Sequence, residues 1–453
     1  MPSNRRQLLK LSVGALLTTL SYNQLTEFTS SKESKVDVII IGAGIAGLVA
    51  ATELQQQGYK TLILEARDRL GGRIWTNSSL DQIPLDLGAS WIHGTKGNPL
   101  SDLVKKFNLK TLPTNYASLS LYDSKGKSIS EVKYKTMESR FEQVMSAVEK
   151  LGESPLNISL QAAIDKVTAK LQLSPSALTE LNYFINSQIE HEFAADAASL
   201  PLQTWDEGKS QRGNDVVFPK GYSQIITNLG ANLRIETNQI VSEIKYGATG
   251  VEVKTNQGVF LSDRLIITLP LGVLKSEAVK FMPPLPPQKL RAIKNLGVGV
   301  LNKLCLQFPE KFWDDEELLG YISAIKGEWA EFLNIDHYTK QPILMGFNAG
   351  SYGTQLEMRS DQEIVNSALV VLRKIYGNFP NPKGFLATRW RSDPFAKGSY
   401  SFNSPNAGDR QALAKPMSDR LFWAGEATST DYPATVHGAL ISGRQAAKLI
   451  TKL

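Results

Sequence analysis

The chain has 453 residues, 42% hydrophobic and 21% charged, which suits a globular protein of two or three domains with ample core. Its net charge of +6 is dispersed, with no basic stripe interleaved with aromatics, so a nucleic-acid interface is not expected. The single cysteine, Cys305, excludes an intramolecular disulfide and a cysteine-cluster metal site, and His93, His191, His337 and His437 show no ligand spacing.

The chain opens with Ser3-Asn4-Arg5-Arg6-Gln7-Leu8-Leu9-Lys10 before the weakly apolar run Leu11 to Leu20. A twin arginine before a modest apolar run resembles a twin-arginine export signal, a route that carries folded proteins. Residues 1–35 are therefore expected to be signal and linker, and the protein to be periplasmic or secreted. No later stretch is long and apolar enough to span a bilayer, so no stable membrane insertion is expected after export.

Val36 to Ile41 is an apolar, β-branched run expected to form a strand buried on both faces. Gly42-Ala43-Gly44-Ile45-Ala46-Gly47 follows at once. Gly42 allows a sharp turn, Gly44 lets a phosphate approach the backbone, and Gly47 lets the next helix pack close to the strand. That helix offers its free N–H groups and positive dipole end to a pyrophosphate. Thr61 to Leu64 reads as a second strand, and Glu65 stands about 20 residues after the turn, where a carboxylate accepts ribose hydroxyls. Strand, turn, helix, strand and acid in order mark a dinucleotide site. In Arg67 to Arg73, Gly71 and Gly72 permit close backbone approach and Arg73 is placed to bond a phosphate.

Helical periodicity runs over Pro99 to Leu109, Thr136 to Leu151, Ser159 to Leu171 and Ser176 to Ile189, suggesting a separate helix-rich lobe. Residues 171–208 hold Glu180, Glu190, Glu192, Asp196, Asp206 and Glu207 with no Lys or Arg, so they form either a solvated acidic face or a funnel for a cation. Strands are expected at Leu233 to Glu236, Ile240 to Tyr246, Val251 to Thr255 and Leu265 to Thr268, a meander returning to the first sheet. Pro283 to Pro287 reads as a stiff extended linker. Leu301 to Phe308 and Ile343 to Phe347 read as second-lobe strands, with Cys305 a buried core thiol, and Asp361 to Tyr376 as a helix. Trp390 to Tyr400 leads back to the first domain, and Leu421 to Ala447 reads as a short strand, an acidic turn and a closing helix. A dinucleotide site begun at one end of the chain and finished at the other encloses its cofactor, which points to a tightly held flavin.

These motifs together resemble the flavin-containing amine oxidases, in the polyamine oxidase and lysine-specific histone demethylase branch. The resemblance rests on the glycine turn, RLGGR from Arg69, DLGASWIHG from Asp86, FPKGY from Phe218, TLPLGVLK from Thr268, FMPPLPPQKLRAI from Phe281, LNKLCLQF from Leu301, RWRSDPFAKGSYS from Arg389 and WAGEATSTDYPATVHGAL from Trp423, and covers the chain from about Val36 onward. It implies an α/β fold: a Rossmann-type FAD-binding domain assembled from residues 36–100, 212–282 and 390–453, and an α+β substrate domain with a mixed sheet from residues 101–211 and 283–389. It implies non-covalent FAD, since no cysteine stands near the C-terminus, and oxidation of an amine to an imine by hydride transfer, with oxygen reoxidising the flavin to give hydrogen peroxide.

The resemblance also assigns residues. Lys303 matches a lysine that holds a water near the flavin, Tyr400 an aromatic over the flavin face, and His93 a histidine that contacts a substrate nitrogen. Flavin contacts are implied for Gly42, Gly44, Ala46, Gly47, Glu65, Arg67, Gly72, Arg73, Gly88, Ala89, Ser90, Trp91, Ile240, Trp390, Gly425, Glu426, Thr435 and Val436. Substrate contacts are implied for Glu192, Trp205 and Tyr432. The demethylases' inserted tower has no counterpart here, so a chromatin role is not expected. The expected substrate is a polyamine or similar alkylamine. The alternatives are an L-amino-acid oxidase, with Arg391 or Arg212 holding the carboxylate, an aromatic monoamine oxidase, or a flavin-binding protein without turnover.

Overall fold

In the computed structural model of the protein, residues 35–154, 156–405 and 408–453 are described; the expected export signal lies outside them. Strand β1 (Val36–Ile41) is buried except at Asp37 and leads through the glycine turn into helix α1 (Ile45–Gln56). Strand β2 (Thr61–Leu64) returns parallel to β1, in register from Val38–Thr61 to Ile41–Leu64, which a crossover helix makes possible. Helix α2 (Pro99–Lys106) is capped by Asn98. Strand β3 (Leu119–Tyr122) then joins the second sheet without having been signalled in the sequence.

Helices α3 (Glu131–Gly152), α4 (Leu160–Leu171) and α5 (Pro175–Phe184) follow. Each begins at a serine, Ser130, Ser159 and Ser174, whose hydroxyl accepts a first-turn N–H. The cap at Ser130 explains why α3 starts earlier than its apolar periodicity. Helix α5 stops short of Ile189, because residues Ile185–Glu190 widen into a π-helical turn, a form frequent at functional sites.

Strands β4 (Ile235–Glu236), β5 (Val241–Gly247), β6 (Gly250–Thr255) and β7 (Val259–Ile267) follow. The meander and the return to the first sheet are one strand: β7 pairs antiparallel with β6 up to Ser262, then runs parallel to β1 as far as Ile267. Strand β8 (Lys280–Met282) lies beside β5. The proline-rich stretch after it is not a free linker, since Leu285 and helix α6 (Pro287–Asn295) pack through Ala292 and Ile293 into the core of the first sheet.

The second sheet is built from β9 (Leu301–Gln307), β10 (Leu318–Tyr321), β11 (Glu331–Asn334), β12 (Ile343–Ala349) and β13 (Gly384–Ala387), in the order β13-β9-β12-β11-β10-β3. Helix α7 (Asp361–Tyr376), with a capping box between Ser360 and Glu363, covers one face of this sheet. Strand β14 (Leu421–Trp423) pairs parallel with β7, and helix α8 (Val436–Ile450) ends the fold against α1. A Cβ at Gly443 would lie 2.2 Å from the Ala46 carbonyl, so the two ends of the chain meet at a contact only glycine permits. The architecture is mixed α/β. Among the described residues, no helix is long and apolar enough to cross a membrane.

Candidate functional site

Strands β1, β2, β7 and β14 end along one edge of the first sheet. Gly42, Glu65, Thr268 and Gly425, just past their carboxyl ends, all line a single cavity of about 1720 Å³. The crevice outside the carboxyl ends of parallel strands is where such sheets bind nucleotides. Gly42 takes φ +102°, a Cβ on Gly47 would sit 2.1 Å from the Gly42 carbonyl, and a Cβ on Gly44 would meet nothing nearer than 4.0 Å. The backbone is thus tight on the helix side and open on the cavity side. No side chain caps α1 at Gly44, which leaves its N-terminus for an anion. The buried Glu65 carboxylate accepts the N–H groups of Ala43 at 2.7 Å and Arg67 at 2.9 Å.

Glu426 is the second buried carboxylate at this end. Arg73 donates to it at 2.8 Å, the Ser401 hydroxyl at 2.6 Å and the Ala434 N–H at 3.2 Å. Burial pushes its pKa up, but Arg73, Ser401 and Arg410 pull harder and hold it below the usual carboxylate range. Arg73, expected at a phosphate, therefore has Nη1 committed to Glu426 and to the Ser399 carbonyl, and Arg67 likewise pairs with Asp393 at 2.6 Å. Ala46, Gly72, Gly88, Ala89, Ser90, Trp91, Ile240, Trp390, Thr435 and Val436 line the same cavity, whereas Gly47 does not and serves the turn alone. Trp390 is fixed by its Nε1–H to the Leu87 carbonyl, and Thr435 caps α8 through the Gly438 N–H. Sequence reasoning passed over His437, one residue beyond Val436: it lines the cavity, its Nε2 has no partner, and burial pushes its pKa down to about 4.

Lys303 stands on β9, 5% exposed, with its ammonium donating to the carbonyls of Asp86 at 2.8 Å and Gly88 at 2.6 Å and to the Ser90 hydroxyl at 2.5 Å. Burial pushes its pKa down to about 8, against the pull of the Asp86 carboxylate. Asp86 is itself pushed up by burial, to about 6. The rings of Trp91 and Phe347 lie 5.7 and 5.8 Å from the ammonium. The Tyr400 hydroxyl donates to the His191 carbonyl at 2.6 Å, and burial, with Glu192 and Glu426 nearby, raises its pKa so that it stays a phenol.

His93 sits at the solvent-accessible part of the cavity with Nδ1 2.7 Å from Asp215. Asp215 was not foreseen; it also accepts the Gly94 N–H at 2.8 Å and the Tyr116 hydroxyl at 3.0 Å, and no local pattern marks a residue 122 positions from its histidine. Glu192 opens into the cavity beside these groups, accessible to solvent there yet enclosed by its walls, and that enclosure raises its pKa. Trp205 lines the cavity and packs edge-on against Phe193 at 5.4 Å. Tyr432 does not line it: its ring packs against His437 at 4.9 Å and borders a separate depression, because Gly438 tucks tightly under the Tyr432 carbonyl.

The acidic stretch is not one funnel. Glu180 pairs with Lys133 and Arg140, Glu190 with Lys326, and Asp196 caps Ser351, all cations or donors from outside the stretch. Only Glu192 and Glu207 of its acids reach the cavity. The cations proposed for a carboxylate substrate, Arg212 and Arg391, are exposed and do not line it.

The donor set fits FAD. It has an open glycine backbone at an uncapped helix N-terminus, buried carboxylates at both chain ends, a bare His437 nitrogen, and a volume beyond the roughly 300–1,000 Å³ of ordinary small-molecule sites. Comparison with known proteins agrees. The family model described as flavin containing amine oxidoreductase matches residues 45–451. Polyamine oxidase 2 of Arabidopsis thaliana is 34% identical over 435 residues, covering 92% of this chain and 88% of its own. Polyamine oxidase 3 of Oryza sativa subsp. japonica is 35% identical over 92% of this chain and 89% of its own. Lysine-specific histone demethylase 1 homolog 3 of Oryza sativa subsp. japonica is 35% identical over 91% of this chain but only 54% of its own. The chain belongs to the flavin-containing amine oxidoreductases, in the branch that holds the polyamine oxidases and the lysine-specific histone demethylases, and is an FAD-dependent amine-oxidising enzyme.

Proposed function

We propose that the enzyme oxidises a polyamine or similar alkylamine to an imine. The observation that carries this reading is the acidic lining of the cavity: Glu192, which lies near Tyr400, and Asp215 face it, while Arg212 and Arg391, the two arginines named for a carboxylate substrate, stand outside. The relatives named polyamine oxidases support it. Bound FAD would supply the hydride acceptor for the carbon beside the nitrogen, with oxygen as the terminal oxidant giving hydrogen peroxide. Lys303, its ammonium held by three acceptors, sets a fixed positive charge beside the reacting face. Tyr400 walls the amine in, and His93 with Asp215 receives a substrate nitrogen near the mouth. Residues 36–100, 212–282 and 390–453 make a Rossmann-type FAD domain and residues 101–211 and 283–389 the substrate domain. FAD binding is non-covalent: Cys305, the one cysteine, is buried in the second sheet away from the cavity. Residues 1–35 export the folded, loaded protein.

The test is anaerobic mixing of the purified flavoprotein with spermine, spermidine, putrescine, tyramine and L-amino acids while following flavin absorbance. Bleaching by spermine or spermidine is expected. Bleaching by tyramine or an amino acid alone replaces the polyamine reading with a monoamine or amino-acid oxidase, and none at all leaves a flavin-binding protein without turnover on these amines.

A further inference from the structure

A row of directly paired residues crosses the second sheet. Lys303 on β9 pairs with Phe347 on β12, Phe347 with Glu331 on β11, and Glu331 with Gly320 on β10. Residues opposite one another in adjacent strands present their side chains to the same face. With strands about 4.8 Å apart, Glu331 stands about 10 Å from Lys303 on that face. Lys303, Phe347 and Glu331 all line the cavity, so this row forms part of its floor.

Among the described residues, a single side chain bonds Glu331. His191 Nδ1 lies 3.1 Å from Oε2, and the other carboxylate oxygen has no hydrogen-bond partner among the described residues. Nε2 of His191 is buried and has no partner among the described residues, so its bond to Glu331 runs from Nδ1–H. The next residue in the row is Gly320, where a Cβ would lie 2.5 Å from the Tyr183 hydroxyl. The missing side chain is what admits that phenol beside the carboxylate. Burial, then Glu331, raises the pKa of Tyr183; burial, Glu138 and Glu331 raise that of Tyr134. Both remain neutral hydroxyls. Lys135, another lysine on the cavity wall, is paired with Glu131 at 2.6 Å. A carboxylate 19% exposed, bonded by one histidine N–H and flanked by neutral phenols, has no Lys or Arg paired with it among the described residues.

We propose that Glu331, oriented by His191 and flanked by Tyr183, binds the ammonium of the substrate distal to the nitrogen being oxidised, with the intervening methylenes lying over Phe347. The His191 and Phe347 rings, 6.1 Å apart, form the apolar step between the reacting end and this subsite. The inference rests on the polyamine reading and deepens it: the enzyme selects amines carrying a second cation one or two alkyl units away.

The test compares a diamine with a monoamine of equal length, diaminooctane against octylamine, in the wild type and in Glu331→Gln, alongside spermidine. The glutamine keeps the shape and a carbonyl for His191, so flavin absorbance is retained. The expected result is a KM for diaminooctane and spermidine raised about tenfold or more, with octylamine and all kcat values little changed. Tyr183→Phe, which removes one hydroxyl, gives the same discrimination at about threefold and stands in if the glutamine variant is not recovered. If the diamine and monoamine KM values move together, or neither moves, while the wild type oxidises spermidine, the subsite is wrong and the polyamine reading survives. A wild type that bleaches with no polyamine overturns both.

Discussion

At the strand ends of the first sheet, Glu65 takes two backbone N–H groups, and Glu426 takes an arginine, a hydroxyl and backbone N–H groups. Around the second sheet, Glu331 has one histidine N–H, and Glu192 has no hydrogen-bond partner among the described residues. Both regions present carboxylates to one cavity, yet only the first compensates them from within. Under the proposed function, the difference separates two kinds of ligand site. A cofactor that never leaves is met by charges already balanced and a backbone already shaped, so nothing reorganises when it binds. A substrate that comes and goes is met by charges left open, which it alone neutralises.

The comparison is broken most severely at the tight turn. Gly47→Ala puts a methyl 2.1 Å from the Gly42 carbonyl, and the strain, about 3 kcal/mol, falls on the phosphate-binding turn. We expect protein recovered without flavin absorbance, or none soluble; normal flavin content would show that the turn is not as rigid as its geometry. Next, Lys303→Met should retain flavin but slow reduction or reoxidation about a hundredfold or more, read by stopped-flow. Unchanged rates in both half-reactions would remove the lysine from the chemistry.

His437 tests the compensated end by pH. Its pKa falls from 6.5 unfolded to about 4 folded because burial disfavours the cation, so its stabilising contribution is complete above pH 6.5 and is lost as pH falls towards 4. The unfolding free energy of the wild type should drop by about 3 kcal/mol more than that of His437→Leu across that window. Parallel curves would show that the imidazole is not buried neutral. At the open end, the raised pKa of Glu192 means that it loses its charge at a higher pH than an ordinary glutamate. KM for a polyamine should therefore climb as pH falls through that range, and Glu192→Gln should flatten the climb. A mutant profile identical to the wild type would place the titrating group elsewhere. The smallest effect is expected at Cys305, which is fully buried on β9. Cys305→Ala should cost about 1 kcal/mol, and acid unfolding should release free FAD from both proteins.

The compensated end was largely legible in the sequence. Strand, turn, helix and Glu65 are close together along the chain, and each glycine there answers a local steric demand. The open end was not. Glu331 gains its meaning from a strand register that sets it two strands from Lys303, and β10 and β11, like β3, carried no signal strong enough to be read. Asp215 becomes visible only when the fold returns it to His93. The acidic stretch misled for the same reason in reverse: Lys133, Arg140 and Lys326, which neutralise Glu180 and Glu190, lie outside the window that was counted. Lys303 itself was singled out only through the family resemblance, since a lysine among apolar neighbours reads by itself as an outward-facing edge residue.

The pair Arg73–Glu426 joins residues 353 positions apart, and Gly443 on α8 seats against Ala46 on α1. During synthesis, the glycine turn leaves the ribosome long before the segment that completes its pocket. For most of that time α1 lacks α8, the helix that completes its packing. Contacts of such long sequence separation carry a large closure entropy and form slowly. A chain that stops short of α8 is therefore expected to be a kinetically stranded, aggregation-prone species rather than a weaker flavoprotein.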